Sequence, residues 1–268
     1  IFILISQAAG ASDATRLQRL VQTEVFFLYA ASLPLTLLGV FAGPFLLKLM
    51  QVPADAMPYA VTYLRITTLG ILGNMGYNFN AGILRGLGNS TSSLMLLGIS
   101  CAVNIALDLV LTAGLGMGVT GVAIATAAAL FLSWVFSIAY IRHTYPAMDF
   151  PLLPCGFDAA ILRDILKIGL PLGMNTALYS VGHVLLQALY NTLGSTFVAG
   201  CSVAGKVSGI ANIAITSYSS AATVFAGQNL GAQKYHRLCR GAWQIPLCSG
   251  AVTLAGGLFV TAFCRPLL

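Results

Sequence analysis

Apolar stretches long enough to cross a bilayer follow one another along almost the whole chain, and no other feature limits its fold as severely. An α-helix needs about 20 apolar residues to span roughly 30 Å of hydrocarbon. Several runs here reach that length. Only 7% of the residues are charged and 58% are hydrophobic, whereas a soluble domain is about a quarter charged. The chain is therefore expected to be an all-α, polytopic transmembrane bundle, and most soluble-enzyme readings fall away.

The thirteen Lys and Arg residues outnumber the seven acids, for a formal charge of +6. They lie between hydrophobic runs and form no single basic face, so they read as topology signals and not as a nucleic-acid surface. The six cysteines show no CxxC or Cys/His metal spacing and read as small packing residues. The opening IFILISQ is too short for a secretory signal and has no basic start.

With Gly, Pro and charge clusters as punctuation, helices are predicted over 20–49, 58–86, 91–113, 118–142, 161–192, 196–229 and 240–264, with 1–11 as the tail of an earlier helix. Bases concentrate in alternate connections: Arg16 and Arg19, then Arg85, then Arg142, Arg163 and Lys167, then Lys234, Arg237 and Arg240. The intervening connections carry only Lys48. The positive-inside bias puts the base-rich loops, near Arg16, Arg85, Arg163 and Arg237, on the cytoplasmic side of the plasma (inner) membrane. The proline-rich stretch 144–160 reads as a cytoplasmic linker between a first bundle, 1–143, and a second, 161–268.

One polar pattern occurs twice. Ser6-Gln7-Ala8-Ala9-Gly10-Ala11 leads to Arg16-Leu17-Gln18-Arg19, and Gly227-Gln228-Asn229-Leu230-Gly231-Ala232 leads to Arg237-Leu238-Cys239-Arg240. Gln, Gly-Ala, Arg-Leu and Arg recur at a constant offset in otherwise low-complexity apolar sequence, which argues for repetition. Six predicted crossings separate the copies, so the halves are expected to be parallel, pseudo-symmetric six-helix repeats. On that reading the complete protein has about twelve helices, and this chain is a fragment that begins late in its second helix and stops after its ninth.

A charge at membrane depth costs several kcal/mol unless it is paired or wetted. Asp108 is the sharpest case: Ser100, Asn104, Asp108 and Thr112 recur every four residues along one slowly turning helical face. A carboxyl there can take up a proton or a sodium ion, although a hydrogen-bonded carboxyl can also simply lock two helices. The preceding helix presents Tyr63, Thr67, Asn74 and Asn78 within about 60° of one another, and the following one Thr126, Ser133 and Ser137. The three stripes are expected to face a common wet cavity, with backbone bonding to i−4 as the alternative for Ser133 and Ser137. Further on, Asn175, Tyr179, His183, Gln187 and Asn191 fall at fours, and Lys206 sits in a polar helix that also carries Ser202, Ser208, Asn212, Thr216 and Ser220. His183 reads first as an interhelical contact, and Arg65, near a helix end, as a snorkelling base. Gly70, Gly73, Gly76 and Gly82, and likewise Gly169, Gly173 and Gly205, read as close-packing or bending positions, with Gly169-Leu170-Pro171 marking a helix start or kink.

The ordered set Tyr63-Leu64-Arg65-Ile66, Ala81-Gly82-Ile83-Leu84-Arg85-Gly86, Asn104-Ile105-Ala106-Leu107-Asp108, Gly118-Val119-Thr120-Gly121-Val122-Ala123, Ile168-Gly169-Leu170-Pro171 and Gly227-Gln228-Asn229-Leu230-Gly231-Ala232 resembles the multidrug and toxic compound extrusion (MATE) family. The resemblance implies two six-helix bundles around a central V-shaped cavity and export of organic cations in exchange for Na⁺ or H⁺. It implies an ion- or proton-coupling cluster of Tyr63, Asn78, Asn104, Asp108 and Thr126, with Asp108 as the one candidate metal ligand, for Na⁺ only. Asn175, Tyr179, His183 and Lys206 are the candidate substrate-cavity residues. Tyr179 stands near a place where another branch of the family carries an acid, and Gly88-Asn89-Ser90-Thr91-Ser92 replaces the family's common Gly-Asp-Thr and Pro after Arg85.

The expected function is thus secondary active efflux, by a monomer with membrane lipids and small organic cations as partners, no nucleic acid and no cofactor beyond the coupling ion. A lipid-linked precursor flippase is the alternative. It would be expected to line its cavity with several bases, where these helices offer chiefly Lys206. An enzyme would need a compact nucleophile, base or metal set, and no HExxH, GxSxG or paired intramembrane acids occur.

Overall fold

A computed structural model of the chain describes residues 1–49, 56–154, 156–192 and 195–267. Among these residues there is no strand: nine α-helices run α1 (Phe2–Gly10), α2 (Ala14–Leu49), α3 (Met57–Leu69), α4 (Ile71–Gly86), α5 (Ser90–Asp108), α6 (Gly118–Thr144), α7 (Ala159–Thr192), α8 (Ser195–Gly231) and α9 (Tyr235–Leu267). A π-helical segment, Leu109–Gly114, prolongs α5, and a 3₁₀ turn, Pro146–Met148, follows α6. The stretches Ala14–Lys48, Ser90–Gly114 and Gly118–Thr144 are long and apolar enough to cross a membrane. Leu37, Leu38, Phe41 and Phe45 lie bare on α2, which suits side chains solvated by hydrocarbon. The chain divides into two compact units, Ile1–Leu162 and Arg163–Leu268.

Asx residues start several helices. Asp13 Oδ1 accepts from the Arg16 N–H ahead of α2 (2.9 Å), Asn89 Oδ1 from Ser92 N–H at α5 (3.2 Å), and Asp158 Oδ1 from Ala160 and Ile161 N–H at α7 (2.9 and 3.3 Å). Each satisfies N–H groups that a first helical turn leaves unpaired. These caps explain why α2 and α7 begin earlier than the apolar runs alone predict.

The two copies of the repeated motif fold alike. After α1, Ser12 takes a left-handed φ of 54° and Asp13 N–H reaches back to Ala8 O (3.1 Å); after α8, Gln233 has φ 56° and Lys234 N–H reaches Asn229 O (2.8 Å). Both are six-residue helix-ending turns of the Schellman kind, at equivalent positions of the repeat.

Within the first unit, α6 packs against α3, α4, α5 and the π segment, while α1 and α2 pack on α4 and on each other. Small residues set the closest approach. A Cβ on Gly70 would lie 3.1 Å from Ala127 Cα, one on Gly73 would lie 2.7 Å from Phe131 Cα, and one on Gly76 would strike the Trp134 ring. Gly82 makes only an ordinary contact, with Phe2 at 3.5 Å. The expected helix 58–86 is broken at Gly70, whose N–H bonds to Thr67 O in a tighter i→i+3 turn (3.0 Å). Buried polar bonds cross α4–α6, where Asn80 Nδ2 donates to Ser137 Oγ (2.7 Å), and α4–α5, where Tyr77 OH donates to Ser93 O (3.2 Å). The stretch after α6 folds back on α2, where Tyr29 OH donates to Leu152 O (3.0 Å), Asp158 N–H to Thr23 Oγ1 (3.1 Å), and Phe26 stacks on Phe157 at 4.5 Å.

In the second unit α8 packs on α9, with Gly241 against the Phe225 ring. Helix α7 runs unbroken through Pro171, so Gly169-Leu170-Pro171 does not start a helix. Among the described residues, a Cβ on Gly169, Gly173 or Gly205 would meet nothing within 4 Å, so no close packing is seen at these three.

Candidate functional site

Helix α5 is apolar except for its serines, Thr91, Asn104 and Asp108, and it stays α-helical only as far as Asp108. From Leu109 the register widens, with Leu115 N–H bonded to Val110 O five residues back (2.9 Å). The predicted four-residue stripe therefore changes course at Asp108, because a π turn holds more residues than the 3.6 of an α turn. Asp108 and Asn104 are partly buried. Asp108 Oδ1 is a buried oxygen with no hydrogen-bond partner, and so is Thr112 Oγ1 four residues on. A buried carboxylate oxygen in that condition must be met by a proton, an ion or a donor.

The other members of the expected coupling cluster stand on helices packed around α6. Tyr63 on α3 is exposed, at 40%. Asn78 on α4 is exposed and gives its amide to Asn74, donating to the backbone oxygen (2.8 Å) and to Oδ1 (2.7 Å), which leaves its own Oδ1 to offer. Thr126 on α6 is partly buried. The helices bearing Tyr63, Asn78, Asn104 and Asp108 all pack on the helix bearing Thr126.

The α6 stripe does not behave as one face. Ser133 and Ser137 are buried, at 2% and 0%, and donate to Ala129 O (2.6 Å) and Trp134 O (2.7 Å). They belong to packed protein, not to a wet cavity. Periodicity groups the residues of one face but does not say which neighbour covers each end of it.

In the second unit, Asn175, Tyr179 and His183 line one open groove of about 350 Å³ on α7, together with Leu178, Gly182 and Leu186. The side chains of Lys206, Ser208 and Asn191 lie outside the described residues. Among the described residues no group of three or more His, Cys, Asp or Glu is placed to hold a metal.

Sequence reasoning missed Glu24. It is 2% exposed on α2, and both carboxylate oxygens are without a partner. Its signal was its place on the buried stripe Leu20, Val21, Glu24, Val25 and Leu28, which recurs at helical spacing.

The fold and these intramembrane polar groups define a polytopic helical membrane protein. Residues 1–110 and 171–268 match the family described as MatE, and the chain belongs to that family. MatE proteins are transporters, not enzymes. The chain is similar to the probable multidrug resistance proteins YpnP and YoeA of Bacillus subtilis (strain 168), with 28% identity over 229 and 243 residues. The alignments cover 85% and 88% of this chain but 51% and 52% of those proteins, so the chain spans about half the length of these relatives. Its backbone superposes on the crystal structure of MATE in complex with MaD3S with a TM-score of 0.89 at 21% identity, covering 99% of this chain and 60% of that one. That likeness shows the fold.

Proposed function

We propose that the chain takes part in secondary active efflux of small organic cations, driven by inward movement of Na⁺ or H⁺, with Asp108 as the coupling acid. One observation carries the reading: Asp108 offers a buried, unpartnered carboxylate oxygen inside an apolar helix, where α geometry gives way to π. Asn104, Asn78, Tyr63 and Thr126 supply oxygens or hydrogen bonds around it. Asn175, Tyr179, His183 and Lys206 contribute to substrate binding, a role that the groove lined by the first three supports. No cofactor is required.

Coupling follows from differential binding. An ion that prefers one conformation shifts the transporter toward it, and one that binds both equally shifts neither. Outside, Na⁺ or H⁺ taken up at Asp108 would disfavour the substrate-bound state; inside, its loss would restore it. Two parallel six-helix bundles, joined through 144–160, would alternate access in a monomer of the plasma membrane, surrounded by lipid, with the loops near Arg16, Arg85, Arg163 and Arg237 cytoplasmic. A flippase of lipid-linked precursors is not favoured, because the intramembrane helices offer chiefly Lys206 to a pyrophosphate.

The test is efflux of a cationic dye from liposomes holding the intact protein, with a sodium gradient and a pH gradient imposed separately. At least one gradient should drive efflux above protein-free liposomes. Flux that ignores both would overturn the proposal.

A further inference from the structure

We infer that Thr112 is a ligand of the coupling ion beside Asp108, that the ion is Na⁺, and that the π segment exists to free the Thr112 hydroxyl for it; this rests on reading Asp108 as the coupling acid. Several helical threonines elsewhere in the chain spend their hydroxyls on the carbonyl four residues back, although Thr36 donates instead to Thr68 O on a neighbouring helix (3.5 Å). Thr23, Thr62, Thr67 and Thr68 donate to Arg19, Pro58, Tyr63 and Leu64 at 2.6–2.9 Å, and Thr176 and Thr216 to Leu172 and Asn212 at 3.1 and 3.0 Å. That bond is the ordinary sink for a threonine in an apolar helix.

Thr112 breaks the habit. It lies inside the π segment, where the wider turn removes the carbonyl four back from its usual position, and its Oγ1 is buried without a partner. Since Asp108 Oδ1 is equally unpartnered, the two oxygens do not bond each other. Thr112 Oγ1 lies at the α5–α6 contact, 3.0 Å from where a Cβ on Gly121 would stand, and Leu111 O is 3.1 Å from the same point. A side chain on Gly121 would crowd that hydroxyl.

A π turn and two buried oxygens left unbonded are each unfavourable in an apolar helix. A hard monovalent cation, which takes carboxylate and hydroxyl oxygens as ligands, accounts for both. A proton on Asp108 would need no second oxygen set free by a π turn. Asp108 is the only charged residue on α5, and α6 has no titratable side chain before Tyr140, with Arg142 and His143 at its far end. Nothing else on the two helices packed against this segment supplies charge to the site.

The test uses the intact protein, first purified and then in liposomes at fixed pH. ²²Na⁺ binding without substrate and the Na⁺ concentration giving half-maximal dye efflux are compared for wild type, Thr112→Val and Thr112→Ser. Valine keeps the shape and removes the oxygen; its Na⁺ dependence should weaken about tenfold in both measurements. Serine restores the oxygen and should stay within about twofold of wild type. Unchanged Na⁺ binding in Thr112→Val, a serine variant as weak as valine, or efflux driven by a pH gradient with no Na⁺ dependence would each overturn the inference. Asp108→Asn separates the two levels: if it abolishes coupling while Thr112→Val does nothing, only the role of Thr112 falls; if it too is normal, the coupling reading falls with it.

Discussion

Gly73→Ala tests the helix seam that holds the α4 and α6 polar residues in register. In this structure a Cβ at position 73 would lie 2.7 Å from Phe131 Cα and 2.8 Å from Phe131 N. Carbon contacts become favourable only at about 3.5 Å, so the two backbones must part by roughly 0.8 Å or the helix must twist. Neither neighbour is a flexible side-chain end, and overpacking of this kind costs about 1–3 kcal/mol. Against that, alanine gains about 1 kcal/mol of helix propensity over glycine. Gly98→Ala isolates the second effect, because among the described residues a Cβ there meets nothing within 4 Å. Thermal unfolding of the intact detergent-solubilised protein should show Gly73→Ala at or below wild type and about 1–3 kcal/mol less stable than Gly98→Ala, a clear gap in unfolding temperature between the two variants. Because Gly73 adjoins Asn74, which holds Asn78, dye efflux should fall with Gly73→Ala as well. If Gly73→Ala unfolds no earlier than Gly98→Ala, the α4–α6 contact is not as described.

Other substitutions probe the buried polar groups. Glu24→Met should raise the unfolding temperature, since it replaces a buried acid whose oxygens have no hydrogen-bond partner by an apolar side chain of similar length, a gain of about 1–3 kcal/mol; a lower temperature would mean the carboxylate charge is stabilised where it lies. Asp158→Ala should cost about 1 kcal/mol through the lost α7 cap, whereas Arg19→Ala should change stability by less than about 0.5 kcal/mol, because the 3.9 Å ion pair has a 61% exposed arginine. Equal losses would contradict that division. A double-mutant cycle on Asn80→Ala and Ser137→Ala should return a coupling near 1 kcal/mol across the α4–α6 interface, and a value near zero would remove that bond from the account.

Helix existence and order were legible because apolar runs in a membrane protein leave little choice, and because Gly88, Asn89 and Asp158 punctuate the runs with turn and cap chemistry. The repeat was legible because its polar residues stand out against an apolar background, and its two copies close with the same left-handed turn at Ser12 and Gln233. Other features depend on neighbours that periodicity does not name. The break at Gly70 reflects close approach to Ala127. The burial of Ser133 and Ser137 reflects which part of α6 faces α4, and the π register after Asp108 has no signature in residue type alone. Glu24 is not singled out by the sequence, because its neighbours at helical spacing, Leu20, Val21, Phe27 and Leu28, are all apolar and no polar stripe marks its face.

The most direct test of Asp108 as the coupling acid is competition at equilibrium. Binding of a cationic dye to the purified intact protein is measured while Na⁺ is raised at fixed pH and while pH is lowered without Na⁺. Wild type should lose dye affinity with at least one of the two ions, and Asp108→Asn should bind dye with an affinity that neither changes. A variant whose dye affinity still falls as steeply as that of wild type would show that the coupling ion acts somewhere other than Asp108.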